Sequence, residues 1–166
     1  SIGDYAFGGL TNLETVTIYT SAAPNNGSLM FPSSPNIKTA TLDFSGSIAN
    51  NLLSSQILLN VVSLNNVTSI GDESFAGTTE LKSITIPFSV TDINANAFKS
   101  SGLESLTIPS SVTSIGTSAF ESCSDLNSLT LPNMLSHIPD TMCKNTSSLT
   151  SITIPSSVIS IGVSAF

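Results

Sequence analysis

Residues 103–120 read LESLTIPSSVTSIGTSAF, and residues 149–166 read LTSITIPSSVISIGVSAF. The first half of this pattern, Leu-x-x-Ile/Leu-x-Ile/Leu-Pro, also occurs as Leu81-Ile84-Ile86-Pro87 and Leu126-Leu129-Leu131-Pro132. The second half, Val-x-x-Ile-Gly-x-x-Ala-Phe, ends two units at Val112, Ile115, Gly116, Ala119, Phe120 and at Val158, Ile161, Gly162, Ala165, Phe166. Weaker copies begin at Leu59, Ile37 and Leu13, so successive starts are separated by 24, 22, 22, 22, 23 and 23 residues. A fixed period of this length is the signature of a stacked-repeat architecture, in which one unit cannot bury its own apolar face and a stack can.

Each column has a physical task. Branched residues two apart lie on one face of a strand. Proline ends that strand because it cannot donate to a ladder. Val-x-x-Ile is a second short extended piece, and Ala-Phe drives a ring into the interior. Only five residues separate Phe120 from Leu126 and four separate Phe98 from Leu103, which is too short for a long helix. The expected fold is a right-handed solenoid of about seven coils, mostly β, with two short strands per coil, 3₁₀-like turns around the Phe and little or no α-helix. The array is one domain over 1–166, with degenerate coils over 13–58 and regular coils over 59–166, and is expected to be a segment of a longer array.

Composition narrows the function. Only 9% of residues are charged, the four Lys stand without any Arg, and the net charge is -7. Phosphate backbones are bound by Lys and Arg, so nucleic acid is a poor partner, and so is an anionic membrane surface. No window of about 20 apolar residues exists to insert into a bilayer. Ser and Thr fill the place of charge at about 31% of the chain.

These columns resemble the BspA-like, or treponemal-type, leucine-rich repeat family, most fully over Leu103–Phe120 with Cys123 and over Leu149–Phe166. The resemblance is strong over 59–166 and weak over 19–36 and 43–58, where Pro, the second Val and Gly are lost. It implies a secreted or cell-surface array, a role in adhesion to host matrix or other cells, and an extracellular location.

The Gly column reads Gly3, Gly71, Asn94, Gly116, Pro139, Gly162. Pro139 cannot take φ > 0, so either the column does not need it or the coil at Ser136–Asp140 is distorted. Cys143 replaces Phe and Met142 replaces Ala in that coil, a swap that keeps volume roughly constant. Cys143 and Cys123 differ in register by three positions, which reads as two buried free thiols rather than a disulfide. His137, the single histidine, falls at an outward position of the second strand and reads as a surface residue, with no triad around it. Asp72, Glu73 and Glu80 lack the spacing of a calcium loop. No catalytic, cofactor or metal site is expected.

The outward strand columns carry the candidate binding face. One rank is Thr17, Thr41, Ser63, Thr85, Thr107, Thr130, Thr153, and beside it stand Thr15, Thr39, Val61, Ser83, Ser105, Ser128, Ser151. Phe44 and Phe88 share one register and are read as a possible aromatic rim, although packing against the degenerate coils suits them as well. Tyr19, in place of the column's proline, is read in the same way. The sequons at Asn26, Asn66 and Asn145 are no more than chance supplies. The expected function is a non-enzymatic protein- or glycan-binding adhesion module. The alternatives are a self-assembling structural repeat, a homo-oligomer joined head-to-tail through uncapped ends, and an ice-binding Thr/Ser face.

Overall fold

The computed structural model describes residues 5–21, 31 and 34–166. Nine strands and no helix occur among them: β1 (Thr15–Tyr19), β2 (Thr39–Ser47), β3 (Val61–Ile70), β4 (Asp92–Ile93), β5 (Ser105–Thr107), β6 (Ser114–Ile115), β7 (Ser128–Thr130), β8 (His137–Ile138) and β9 (Ser160–Ile161). All pairings are parallel and join equivalent positions of successive coils, as in Thr15↔Thr39 and Ser105↔Ser128. The sheets run β1-β2-β3-β4-β6, β5-β7 and β8-β9. No helix among the described residues is long and apolar enough to cross a membrane.

Proline decides where a coil breaks. Coils carrying Pro87, Pro109, Pro132 or Pro155 split into separate short segments, because proline's missing N–H interrupts the ladder. Where that position holds Asp43 or Asn65, the chain runs unbroken as β2 and β3 through both strand columns. Inward-facing residues alternate with outward ones: Val16, Ala40, Leu106 and Leu129 are buried between exposed or half-exposed Thr and Ser, Ile18 between Thr17 and Tyr19, and Leu42 between Thr41 and Asp43.

The aromatic column forms the axis of the core. Phe75, Phe98 and Phe120 are fully buried, with ring centroids 5.3 and 5.7 Å apart and planes within 7°. Phe7 stacks on Phe31 in the same way at 5.1 Å. Cys143 interrupts the stack, and it and Met142 are both buried. The turns around each Phe carry i→i−3 bonds, such as Glu121 N–H to the Ser118 carbonyl. Alternate N–H groups reach instead to the next coil: Ser118, Phe120 and Ser122 donate to Asp140, Met142 and Lys144 at 3.1, 2.9 and 2.8 Å.

The Gly column needs closeness rather than φ > 0. Gly116 and Gly162 have ordinary φ, and each donates its N–H to the previous coil at 2.7 Å. A Cβ on Gly116 would overlap Asn94 and Ala95 backbone, and one on Gly162 would overlap Asp140. The left-handed residues lie two and six positions later: Glu73 and Gly77, Asn96 and Ser100, Ser118 and Ser122, Thr141 and Asn145. Pro139 is therefore accommodated. Gly3 lies outside the described residues.

Next to that column, side chains link the coils. Asn50 Oδ1 accepts the Asp72 N–H at 2.9 Å, Asp72 Oδ1 accepts the Ala95 N–H at 3.1 Å, and Asp140 Oδ1 accepts the Val163 N–H at 2.7 Å. Asn50 also donates Nδ2 to Asp72 Oδ2 at 3.1 Å. Asp72→Ala is expected to lower stability by about 1–2 kcal/mol, because a half-buried N–H loses its acceptor. Asp72→Asn, which keeps an acceptor oxygen, is expected to lose less. Urea midpoints of the two variants check the order.

Candidate strand-face binding site

Both outward ranks stand at the surface as the alternation requires. Thr17, Ser63, Thr85, Thr107, Thr130 and Thr153 are exposed and Thr41 is half-exposed; Ser83, Ser105, Ser128 and Ser151 are exposed beside them. The two columns hold hydroxyls and one exposed apolar residue, Val61, and no charge.

The hydroxyl ladder is not continuous. Three rungs pair across β1, β2 and β3, and two across β5 and β7. Residues 83–86 and 151–154 keep the same outward columns without pairing as strand. The Glu104 N–H holds the base of the first segment through the Lys82 carbonyl at 2.9 Å. Two grooves open where pairing lapses. One, of about 340 Å³, is lined by Ser83, Thr85, Ser105, Thr107, Phe88 and Pro109 among others. The other, of about 360 Å³, lies between 127–133 and 151–155 and carries Asn133 in the register of Phe88.

The two aromatics read as a rim part company. Phe88 is 76% exposed, whereas Phe44 is 1% exposed and belongs to the core. Without a proline before it, β2 continues its alternation, so Phe44 points inward after Ala40 and Leu42. Pro87 breaks the alternation in the other coil, and Phe88 turns out. Phe44 is thus removed from the rim. Tyr19, at the end of β1, is 72% exposed.

Charges sit at strand starts and turns. Lys38 pairs with Glu14 at 2.8 Å and Lys99 with Glu121 at 3.0 Å. Lys82 reaches past the intervening coil to Asp125 at 3.2 Å. The Lys99 hydrogen bond, with help from Ser118, holds the Glu121 carboxyl below its ordinary range. His137 is exposed, and its Nδ1 lies 2.7 Å from Ser160 Oγ. Among the described residues no group of three or more His, Cys, Asp or Glu is placed to hold a metal. Asn66, within β3, and Asn145, in a turn, are both exposed with φ near 60°, and Asn66 donates to Asp43 Oδ1 at 2.9 Å. Asn26 lies outside the described residues.

Both cysteines are buried free thiols. Cys123 belongs to a column with Thr78, Ser101 and Thr146: the Thr78 and Thr146 hydroxyls donate to the Phe75 and Cys143 carbonyls, Cys123 Sγ donates to the Phe98 carbonyl at 3.0 Å, and Ser101 Oγ lies 3.3 Å from Cys123 Sγ. Burial raises its pKa, and burial with the neighbouring Cys123 pushes the Cys143 thiol up from 9.0 to about 12. Iodoacetamide is expected to label neither in the native protein at pH 8 and both in urea, as intact mass would show. A folded pKa above the unfolded one stabilises fully below the unfolded value. This contribution is therefore present below pH 9 and lost as pH rises from 9 towards 12. Cys143→Ala should flatten that decline in urea midpoints.

A search of curated proteins finds no match. The fold is that of a leucine-rich repeat protein from Bacteroides ovatus (TM-score 0.76, 21% identity, 91% of this chain and 48% of that one) and of the Treponema pallidum protein TpLRR (0.74, 22%, 90% and 67%). A leucine rich cell surface protein from Faecalibacterium prausnitzii matches at TM-score 0.56 and 22% identity over 99% of this chain and 61% of that one. The chain spans about half the length of the Bacteroides protein. A model of the BspA type leucine rich repeat region matches residues 1–62 and 46–166 in six copies, one fewer than the seven starts of the period. With the match covering the whole array and the fold agreeing, the chain belongs to the BspA-type leucine-rich repeat family.

Proposed function

We propose that the chain is a non-enzymatic binding module of the adhesion type, displayed outside the cell, which takes a protein or glycan ligand on its hydroxyl-lined strand face. One observation carries this reading. Two neighbouring columns present exposed Ser and Thr from coil after coil, without a charge among them. Such a face gains little on its own from Thr–Thr pairing, about 0.2–1 kcal/mol per pair, and offers a hydrogen-bonding surface of extended reach. Location outside the cell is supported by the family and by the description of the Faecalibacterium relative as a cell surface protein. An ice-binding role fits less well, because the paired ranks stop after three rungs and after two.

The test is capture on immobilised matrix proteins and a glycan panel. Wild type should bind at least one saturably, and Thr85→Trp, Thr107→Trp and Thr130→Trp together should weaken capture at least tenfold. Unchanged capture would move the site to another face. Light scattering on the same samples reads the competing role: mass that grows with concentration would favour self-assembly.

A further inference from the structure

We propose that the groove under Phe88 is a subsite for one ring of an uncharged sugar. This rests on the binding-module reading above and names both the place and the ligand class. The groove runs between residues 83–86 and 105–109, where the strand ladder lapses. Hydroxyls of Ser83, Thr85, Ser105 and Thr107 line it, and each both donates and accepts. No charged side chain lines it. Of the charges at the strand starts beside it, Lys82 is held by Asp125 at 3.2 Å, and Glu104 stands exposed at the start of the next coil.

Phe88 supplies the other half of the recognition. The same register holds Ser110, Asn133 and Ser156 in the other proline-bearing coils. At 76% exposure its ring adds little to the core. A sugar ring has one face of C–H groups and an edge of hydroxyls. Phe88 offers an apolar plane to the first, and the Ser/Thr pairs offer partners to the second. An anionic glycan or a charged peptide would find no counter-charge in this lining. A volume of about 340 Å³ holds one ring and part of its neighbours rather than a long chain.

The second groove is an internal control, because it has the same hydroxyl columns but Asn133 instead of an aromatic. Calorimetric titration with unsubstituted glucan, mannan and galactan tetrasaccharides, and with a heparin tetrasaccharide, tests the proposal. At least one neutral tetrasaccharide should bind with one site per chain. Phe88→Asn should weaken it at least tenfold, Phe88→Trp should retain it, and Asn133→Phe should raise the stoichiometry to two. Because Phe88 is exposed, the variants should melt like wild type, and thermal melts confirm it. Binding of heparin alone, equal binding by Phe88→Asn, or no neutral binding overturns the sugar subsite. If matrix-protein capture nonetheless falls in the Thr85, Thr107 and Thr130 variants, the subsite fails while the module reading survives.

Discussion

Phe98→Ala is expected to destabilise the array by about 3–5 kcal/mol, the range for removing a fully buried aromatic ring. Its ring lies between Phe75 and Phe120, so truncation removes two stacked contacts at 5.3 and 5.7 Å along with its own burial. The Phe98 carbonyl also accepts the Cys123 thiol, so any collapse of the turn disturbs a buried polar partner. Relaxation is limited, because Phe98 N–H is tied to the Ala119 carbonyl at 2.9 Å and the Phe75 N–H to that of Ala97. Phe98→Leu, which keeps much of the volume, should lose less. Guanidinium unfolding followed by circular dichroism reads both. A Phe98→Ala midpoint matching wild type would mean that neither the stacked contacts nor the filling of the core at this coil stabilises the array.

Gly102→Ala is the second large effect, at about 1–3 kcal/mol from forced overpacking. Gly102 stands where the chain is one residue shorter than its neighbours, four residues separating Phe98 from Leu103 against five between Phe120 and Leu126. Its N–H donates to the Thr78 carbonyl at 3.0 Å, which draws the two backbones together. A Cβ there would overlap the Thr79 carbonyl oxygen and would lie 3.3 Å from Lys82 Nζ. Carbonyl backbone cannot step aside as a side-chain tip can. The substitution should also loosen the Lys82–Asp125 bridge that crosses this short turn. Gly9→Ala is the comparison: an added Cβ there meets nothing within 4 Å, and the penalty comes from its φ of +74° alone. Equal stability for Gly102→Ala and wild type would show that the turn can open without cost.

Much of this structure is legible in the residues. The period, inward Leu and Ile, buried Phe column, outward Ser and Thr and free thiols all follow from spacing and alternation, because each is set within one coil. What escapes is set between coils. Leu81–Pro87 and Leu103–Pro109 have almost the same sequence pattern, yet only the second forms a strand with its neighbour. Pairing depends on how two coils seat against each other, and the column of residue types carries no record of that. Phe44 and Phe88 share a register but point oppositely, since the signal lies in the preceding residue: Asp43 lets the alternation continue and Pro87 stops it. The left-handed turn positions were half-visible. Ser55, Gly77, Ser100, Ser122 and Asn145 are small or tolerant residues, but Glu73 and Thr141 in the companion column give no such hint.

The directed hydrogen bonds at the Phe turns have a mechanical meaning. Each of these turns passes alternate N–H groups to the coil that follows, so those bonds lie along the stacking axis rather than across it. Tension applied from one end to the other therefore loads one coil boundary at a time, in peeling rather than in shear. Each coil of 22 or 23 residues that detaches releases about 75–80 Å of extended chain. A module of this design, fixed at one end and loaded at the other, would act as an extensible tether that yields in steps.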